Sequence, residues 1–396
     1  MKDLTSLLGR SGALLGVICG LVVLPACGDE SNGGPTGGSG GGSGGDDNKA
    51  GSSSAGSDSK AGTGGGGKGN AGSAHGGSSV AGGGLDDGAW QDVSPAEADG
   101  NVSAVAVNRL TGELLADVTD LGVFKSTNGG ADWEDVDGGT VTGLVVLGPG
   151  IDVDQDNPQR VAVWSLDGLA AWTPDFGATW NPMTSVGRNW DFGSTDWASP
   201  DPKTMIVTRH EANGEVYVST DAGVSWDLLS IKVFASGVSF PPPEFAMVGV
   251  MDSTTLIYSE GMGGGILRST DTGKTFEKVS DFDVRTRVPV LFNGVFYLGG
   301  DGLVVSRDKG ATWEAQGSSL EIWVGPYFGA DEDHMMVANN EGVYLTEDGG
   351  TNWSRAIALP SDPQYDPQIF GGFGWDPTAN VVYAAALGKP LLKAQL

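Results

Sequence analysis

An octet that recurs six times constrains this chain more than any other feature. It reads STNGGADW at 126–133, TPDFGATW at 173–180, STDAGVSW at 219–226, STDTGKTF at 269–276, SRDKGATW at 306–313 and TEDGGTNW at 346–353. Its third positions, Asn128, Asp175, Asp221, Asp271, Asp308 and Asp348, are 47, 46, 50, 37 and 40 residues apart. A hydroxyl, then a carboxylate or amide, then a glycine are the components of a tight turn. The polar side chains accept hydrogen bonds from the turn's own N–H groups, and glycine takes a positive φ. The closing Trp or Phe is left to fill the space between repeats. Each octet follows three short apolar runs separated by polar turns, as in IDVD, RVAVWS and LAAW before the second, and a further strand starts at its aromatic residue. Four strands in a unit of this length make a propeller blade.

After the sixth octet come three more runs, FGGFGWDP, VVYAAAL and PLLKAQL, with no octet and no fourth strand. The missing strand is at the other end of the repeat array. Ala89-Trp90-Gln91-Asp92-Val93 reads like Ala131-Asp132-Trp133-Glu134-Asp135-Val136, the passage from octet to outer strand in the first repeat. The chain is therefore predicted to be all-β, a seven-bladed β-propeller over residues 89–396 whose N-terminal strand completes the last blade and removes the open sheet edge. The 308 residues divide into seven units of 44.

The octet resembles the Asp-box, or bacterial neuraminidase repeat, S-x-D-x-G-x-T-W, of sialidase-type and sortilin-type propellers. The chain is also similar to photosystem II stability and assembly factor-like propellers and to xyloglucanase-like ones. The resemblance implies the fold and a structural role for Asn128, Asp175, Asp221, Asp271, Asp308 and Asp348. It implies either a binding or scaffolding module for a protein or glycan, or a glycoside hydrolase of sialidase or xyloglucanase type. Sialidases carry an arginine triad with a Phe-Arg-Ile-Pro-like motif, which this chain lacks. Xyloglucan-cleaving relatives pair two propellers with an aspartate from each, and this chain supplies one propeller. No catalytic residue is assigned.

Upstream of the repeats the chain changes character. Residues 1–26 read as a lipoprotein signal peptide: Lys2 and Arg10 form a basic start, and an apolar run too short to span a bilayer follows. Leu24-Pro25-Ala26-Cys27-Gly28 resembles the bacterial lipobox, which implies lipidation of Cys27 and a place in the cell envelope, as an outer-membrane lipoprotein. The other reading is an ordinary secretory signal with an incidental cysteine. Residues 27–88 hold the lipidated cysteine and a Gly/Ser-rich linker, with 25 glycines in the 61 residues 28–88, too few apolar groups to offset chain entropy. Cys27 is the one thiol left after cleavage, so no intrachain disulfide is possible.

Charge narrows the partners. With 22 basic and 50 acidic residues the chain carries −28, which argues against nucleic acid and leaves the lipid as the expected membrane contact. A monomer is expected. The ligand face is predicted to be the one opposite the octets, where interblade loops and second-to-third-strand hairpins meet. Arg188, Arg209, Arg285 and Arg287 form a positive group on a propeller of net −25, with Trp190, Trp323 and Tyr365 as aromatic contacts. The alternative is that these arginines pair with Asp191, Glu211, Asp281 and Asp283. The insert 232–245, with Pro241-Pro242-Pro243, is expected to rise over the same face. No metal or other cofactor is expected. Asp152, Asp154 and Asp156 begin like an EF-hand loop, but Asn157 and Val163 stand where its glycine and glutamate belong, so the run reads as a polar turn between strands.

Overall fold

The computed structural model describes residues 90–143, 150–166, 169–184, 190–209, 215–229, 247–259, 264–368 and 371–396. The signal peptide, the linker, Cys27, Arg188 and the insert 232–245 lie outside the described residues.

Seven antiparallel sheets surround a central axis. Their innermost strands are Val102–Val107, Ile151–Val153, Trp190–Thr195, Met247–Val250, Val290–Phe292, Val324–Phe328 and Gly372–Asp376. Burial falls from the axis outward. In blade 1, Val102–Val107 and Leu114–Val118 are buried throughout, whereas the outermost Glu134–Asp135 is exposed. Strands packed on both faces are mostly apolar, and these inner runs are rich in Val, Leu and Ala, with Ser103 and Asp117 as buried polar exceptions.

The expected closure is present. Gln91 and Asp92 pair with Lys393 and Leu392, so the first strand of the chain is the outermost strand of the last blade. The Trp90 indole N–H donates to the Ala358 carbonyl at 3.0 Å, tying blade 7 to the outer strand of blade 6. Trp133 and Trp180 do the same one and two blades further round, to the Val93 and Val136 carbonyls at 2.9 and 3.0 Å. Trp90 thus fills the octet tryptophan's position in the one blade without an octet.

Each octet folds as one turn. In the third, the Ser219 hydroxyl donates to Asp221 Oδ1 (2.8 Å) and accepts from the Gly223 N–H (2.9 Å). Asp221 accepts from the Ser225 N–H at Oδ1 (2.8 Å) and the Ser225 hydroxyl at Oδ2 (2.6 Å), and these donors hold its carboxyl below the usual range. Two consecutive residues, Ala222 and Gly223, have φ of 62° and 83°. A Cβ on Gly223 would come within 2.6 Å of Met183 Cγ, so glycine is required there for space as well as for conformation.

Blade 5 departs from the expected four strands. It has three: Val290–Phe292, the twelve-residue Val295–Ser306, and Glu314–Glu321. The first half of the long strand pairs with Val290–Phe292 and the second half with Glu314–Glu321. This is the repeat with the shortest spacing, 37 residues, and it has no length to spare for separate loops.

Candidate functional site

The inner strands of blades 1, 2, 5 and 6 enclose a cavity of about 80 Å³ on the propeller axis. Six valines contribute to its wall, with Trp323 and Tyr327 from blade 6, Arg287 from blade 5 and, among the described residues, one acid, Asp152, from blade 2. Trp323 is half-buried and stands at the start of its inner strand, at the end of the channel away from the octets.

Arg109 seals the opposite end. It lies in the turn after the first strand of blade 1, and such turns bond to the octets, for example Ala222 N–H to the Lys203 carbonyl at 2.9 Å. Arg109 reaches across the channel: Nε donates to the Gln155 carbonyl (2.7 Å), Nη1 to the Gly329 carbonyl (2.9 Å), and the guanidinium sits 4.9 Å from the centre of the Phe292 ring. Burial lowers its pKa, opposed by Asp156 and Asp154. The Asn293 N–H donates to Asp156 Oδ1 at 2.7 Å, a second tie between blades on different sides of the ring.

The run Asp152, Asp154, Asp156 is therefore not a plain polar turn. Asp156 is in the turn, but Asp152 belongs to the inner strand Ile151–Val153 and Asp154 is fully buried beside it. Arg160 grips Asp154 with Nε (2.7 Å) and Nη2, and Nη2 also donates to the Trp197 carbonyl at 2.7 Å. Asp152 has no such cation. Its Oδ2 accepts the Thr195 N–H at 3.1 Å, and the residue is 7% exposed. Burial pushes its carboxyl from 3.8 up to about 7, against the pull of polar groups of Trp197 and Thr195. A carboxyl of that pKa both gives and takes a proton at neutral pH.

The structure gathers some of the residues expected to meet a ligand and separates others. Arg287 and Trp323 line the cavity, and Arg285 stacks 5.7 Å from the Trp323 ring at its rim. Trp190 does not present a face: it is 1% exposed, packed 5.7 Å from Tyr217 and 5.3 Å from Trp226. Tyr365 is 2% exposed, and its hydroxyl donates to the Pro390 carbonyl at 2.6 Å. Both were expected as ligand contacts and are packing residues, because large aromatics at blade junctions have more apolar area to bury than a rim exposes. Arg209 pairs with Glu215 across its own hairpin at 2.7 Å and is not among the cavity residues. Arg285 pairs with Glu321 at 3.5 Å rather than with Asp281, which holds Lys278. Asp152 and Tyr327 complete the cavity. The signal for Asp152 was an acid inside an otherwise apolar innermost strand.

No family model matches the chain. It is 25% identical over 275 residues to a xyloglucanase of a Paenibacillus species, which covers 65% of this chain and 25% of that protein. A xyloglucanase of Hypocrea jecorina (strain QM6a) is 27% identical over 157 residues, 38% of this chain and 17% of its own. The chain thus spans a quarter or less of the length of these curated relatives. Among solved structures, it is similar to a Niastella koreensis GH74 enzyme (TM-score 0.47, 18% identity, 74% of this chain and 43% of that one). It is also similar to YCF48 from Cyanidioschyzon merolae (TM-score 0.44, 14% identity, 78% and 98%).

Proposed function

We propose that this chain is an envelope-anchored binding propeller, held by a lipid on Cys27, which takes a protein or glycan ligand at the channel mouth beside Trp323, Arg285 and Arg287. The observation that carries the reading is the composition of the cavity: an apolar and aromatic wall with a few polar groups and, among the described residues, a single acid. That is the make-up of a recognition pocket. Glycosidases as a rule use two carboxyl groups, about 5 to 5.5 Å or 6.5 to 9.5 Å apart, and among the described residues Asp152 is the one acid lining the cavity. The six octet carboxylates or amides serve turns at the sealed end, in keeping with the Asp-box resemblance.

A second reading has its own support. The curated relatives are xyloglucanases, and the raised pKa of Asp152 suits a general acid at neutral pH. On that reading this propeller is half of a cleft whose other half a partner provides. A glycan and peptide binding array on the full chain, run beside a reducing-sugar assay on xyloglucan, separates the two. Binding without sugar release is expected. Release of reducing ends that Asp152→Asn abolishes would put the hydrolase first. Cys27→Ser is expected to leave the protein unprocessed or soluble on fractionation, and a processed, membrane-bound variant would refute the anchor.

A further inference from the structure

We infer that the axial cavity is a socket for an uncharged aliphatic group of about four or five carbons, the anchor of the ligand; this rests on the reading of the channel mouth as the binding site. Size comes first. A buried water needs roughly 10 to 15 Å³ of such space, so about 80 Å³ holds on the order of six heavy atoms. A pyranose ring with its hydroxyls does not fit, whereas a leucine-sized side chain or a butyl group does. The wall is also within reach. Val105, Val107, Ile151 and Val324 keep 6 to 8% of their surface, while Val102 and Ala104, on the same strand as Val105, keep none. Arg109 closes the octet end, so a guest enters past Trp323.

Chemistry comes second, and it is decided by where the polar groups are already engaged. Among the described residues two charged ones line the cavity, yet the contacts of both lead to blade 3, which contributes nothing to the wall. The Asp152 carboxyl meets Thr195 and Trp197. The Arg287 guanidinium stacks 5.7 Å from the Phe192 ring and has further partners. The uncharged polar residues are engaged as well. The Thr286 hydroxyl accepts the Gly299 N–H at 2.9 Å, the Gln155 side-chain oxygen faces the Phe328 N–H at 3.5 Å, and the Tyr327 hydroxyl bonds to the Phe373 backbone. What remains to meet a guest is chiefly valine, isoleucine and proline surface, with the Trp323 ring at the mouth. A charged or hydroxyl-rich guest would lose its water there without replacement hydrogen bonds. An aliphatic guest has none to lose.

Two sources offer such a group: a leucine or isoleucine side chain on a protein, and a free aliphatic molecule. Both fill the same socket.

The test is a ligand-observed NMR titration of the full chain with straight-chain alcohols from ethanol to 1-octanol, with n-butylammonium and butyrate beside them. Affinity is expected to rise about fourfold per methylene, the worth of one buried CH₂, and to level off beyond butanol or pentanol once the cavity is full. Val290, in the inner strand of blade 5, lines the cavity. Val290→Phe is expected to remove the binding, and Val290→Ala to move the levelling-off to longer chains; the wild-type series keeps the test valid if either folds poorly. Tighter binding of butylammonium or butyrate than of butanol, affinity unrelated to chain length, or full binding by folded Val290→Phe would overturn the inference. N-acetyl-leucinamide is titrated beside 3-methyl-1-butanol to separate the sources. Both outcomes uphold the socket: tighter binding of the capped leucine assigns the anchor to a protein, and tighter binding of the alcohol assigns it to a free aliphatic molecule. If the alcohols fail while an array ligand still loses affinity on Trp323→Ala, the aliphatic assignment falls and the mouth site stands. If the alcohols bind as expected and the array gives no ligand, the socket stands and the wider binding function falls.

Discussion

Replacing Asp152 by asparagine alters one proton and almost no volume, so its effect on stability is calculable from the structure. The Thr195 N–H keeps an acceptor, because the asparagine side-chain oxygen can take the place of Oδ2. Burial raises the folded-state carboxyl to about 7, from an ordinary 3.8. Between those values the folded protein binds more protons than the unfolded chain, so this group's contribution makes stability fall as pH rises and level off above pH 7. At 1.36 kcal/mol per pH unit the penalty is about 1.7 kcal/mol at pH 5 and about 4 kcal/mol at pH 8. Asparagine never ionises and escapes it. Urea unfolding of both proteins at pH 5, 6, 7 and 8 is the assay, and the difference cancels the background of the other acids. The gap in favour of Asp152→Asn is expected to widen by about 2.5 kcal/mol from pH 5 to pH 8. Parallel curves would refute the argument, since they would mean that Asp152 has the same affinity for its proton folded and unfolded.

The closure and the buried ion pair give two more tests. Deleting residues 90–93 removes the outermost strand of blade 7 and the indole bond to Ala358, so loss of cooperative unfolding and aggregation are expected by calorimetry and light scattering, whereas deleting 33–84 leaves the melting midpoint unchanged. Arg160→Ala strands a fully buried Asp154 carboxylate and is expected to cost about 3 to 5 kcal/mol in urea unfolding at pH 7. A loss below about 1 kcal/mol, the range of exposed pairs, would mean that Asp154 is solvated.

The ring was legible in the sequence because its determinants are local. Each octet holds its own hydroxyl, carboxylate or amide, and glycine within eight residues, and Trp90 could be matched to Trp133 by its neighbours alone. Blade 5 was less legible, since a spacing of 37 does not say which connection is lost. The site was legible in part. Trp323, Arg285 and Arg287 come together because they flank two inner strands, but Trp190 and Tyr365 turn into blade junctions, and no pattern along one strand tells an aromatic at a rim from one at a junction. Arg209 is taken by Glu215, six residues on, through a hairpin whose register sequence does not fix. Asp152 was hidden by its company: next to Asp154 and Asp156 it read as part of a turn, and only the folded structure shows it buried against Thr195 of blade 3 while Asp154 meets Arg160.

The central claim is that ligand enters at the channel mouth opposite the octet turns. The measurement that tests it most directly is the affinity of the strongest array ligand for wild type, for Trp323→Ala with Arg287→Ala, and for Asp221→Ala, each checked for folding by circular dichroism. The account predicts at least a tenfold loss in the mouth variant and wild-type affinity in the folded fraction of Asp221→Ala. Undiminished binding by the mouth variant, with binding lost in a folded Asp221→Ala, would move the site to the octet end and contradict it.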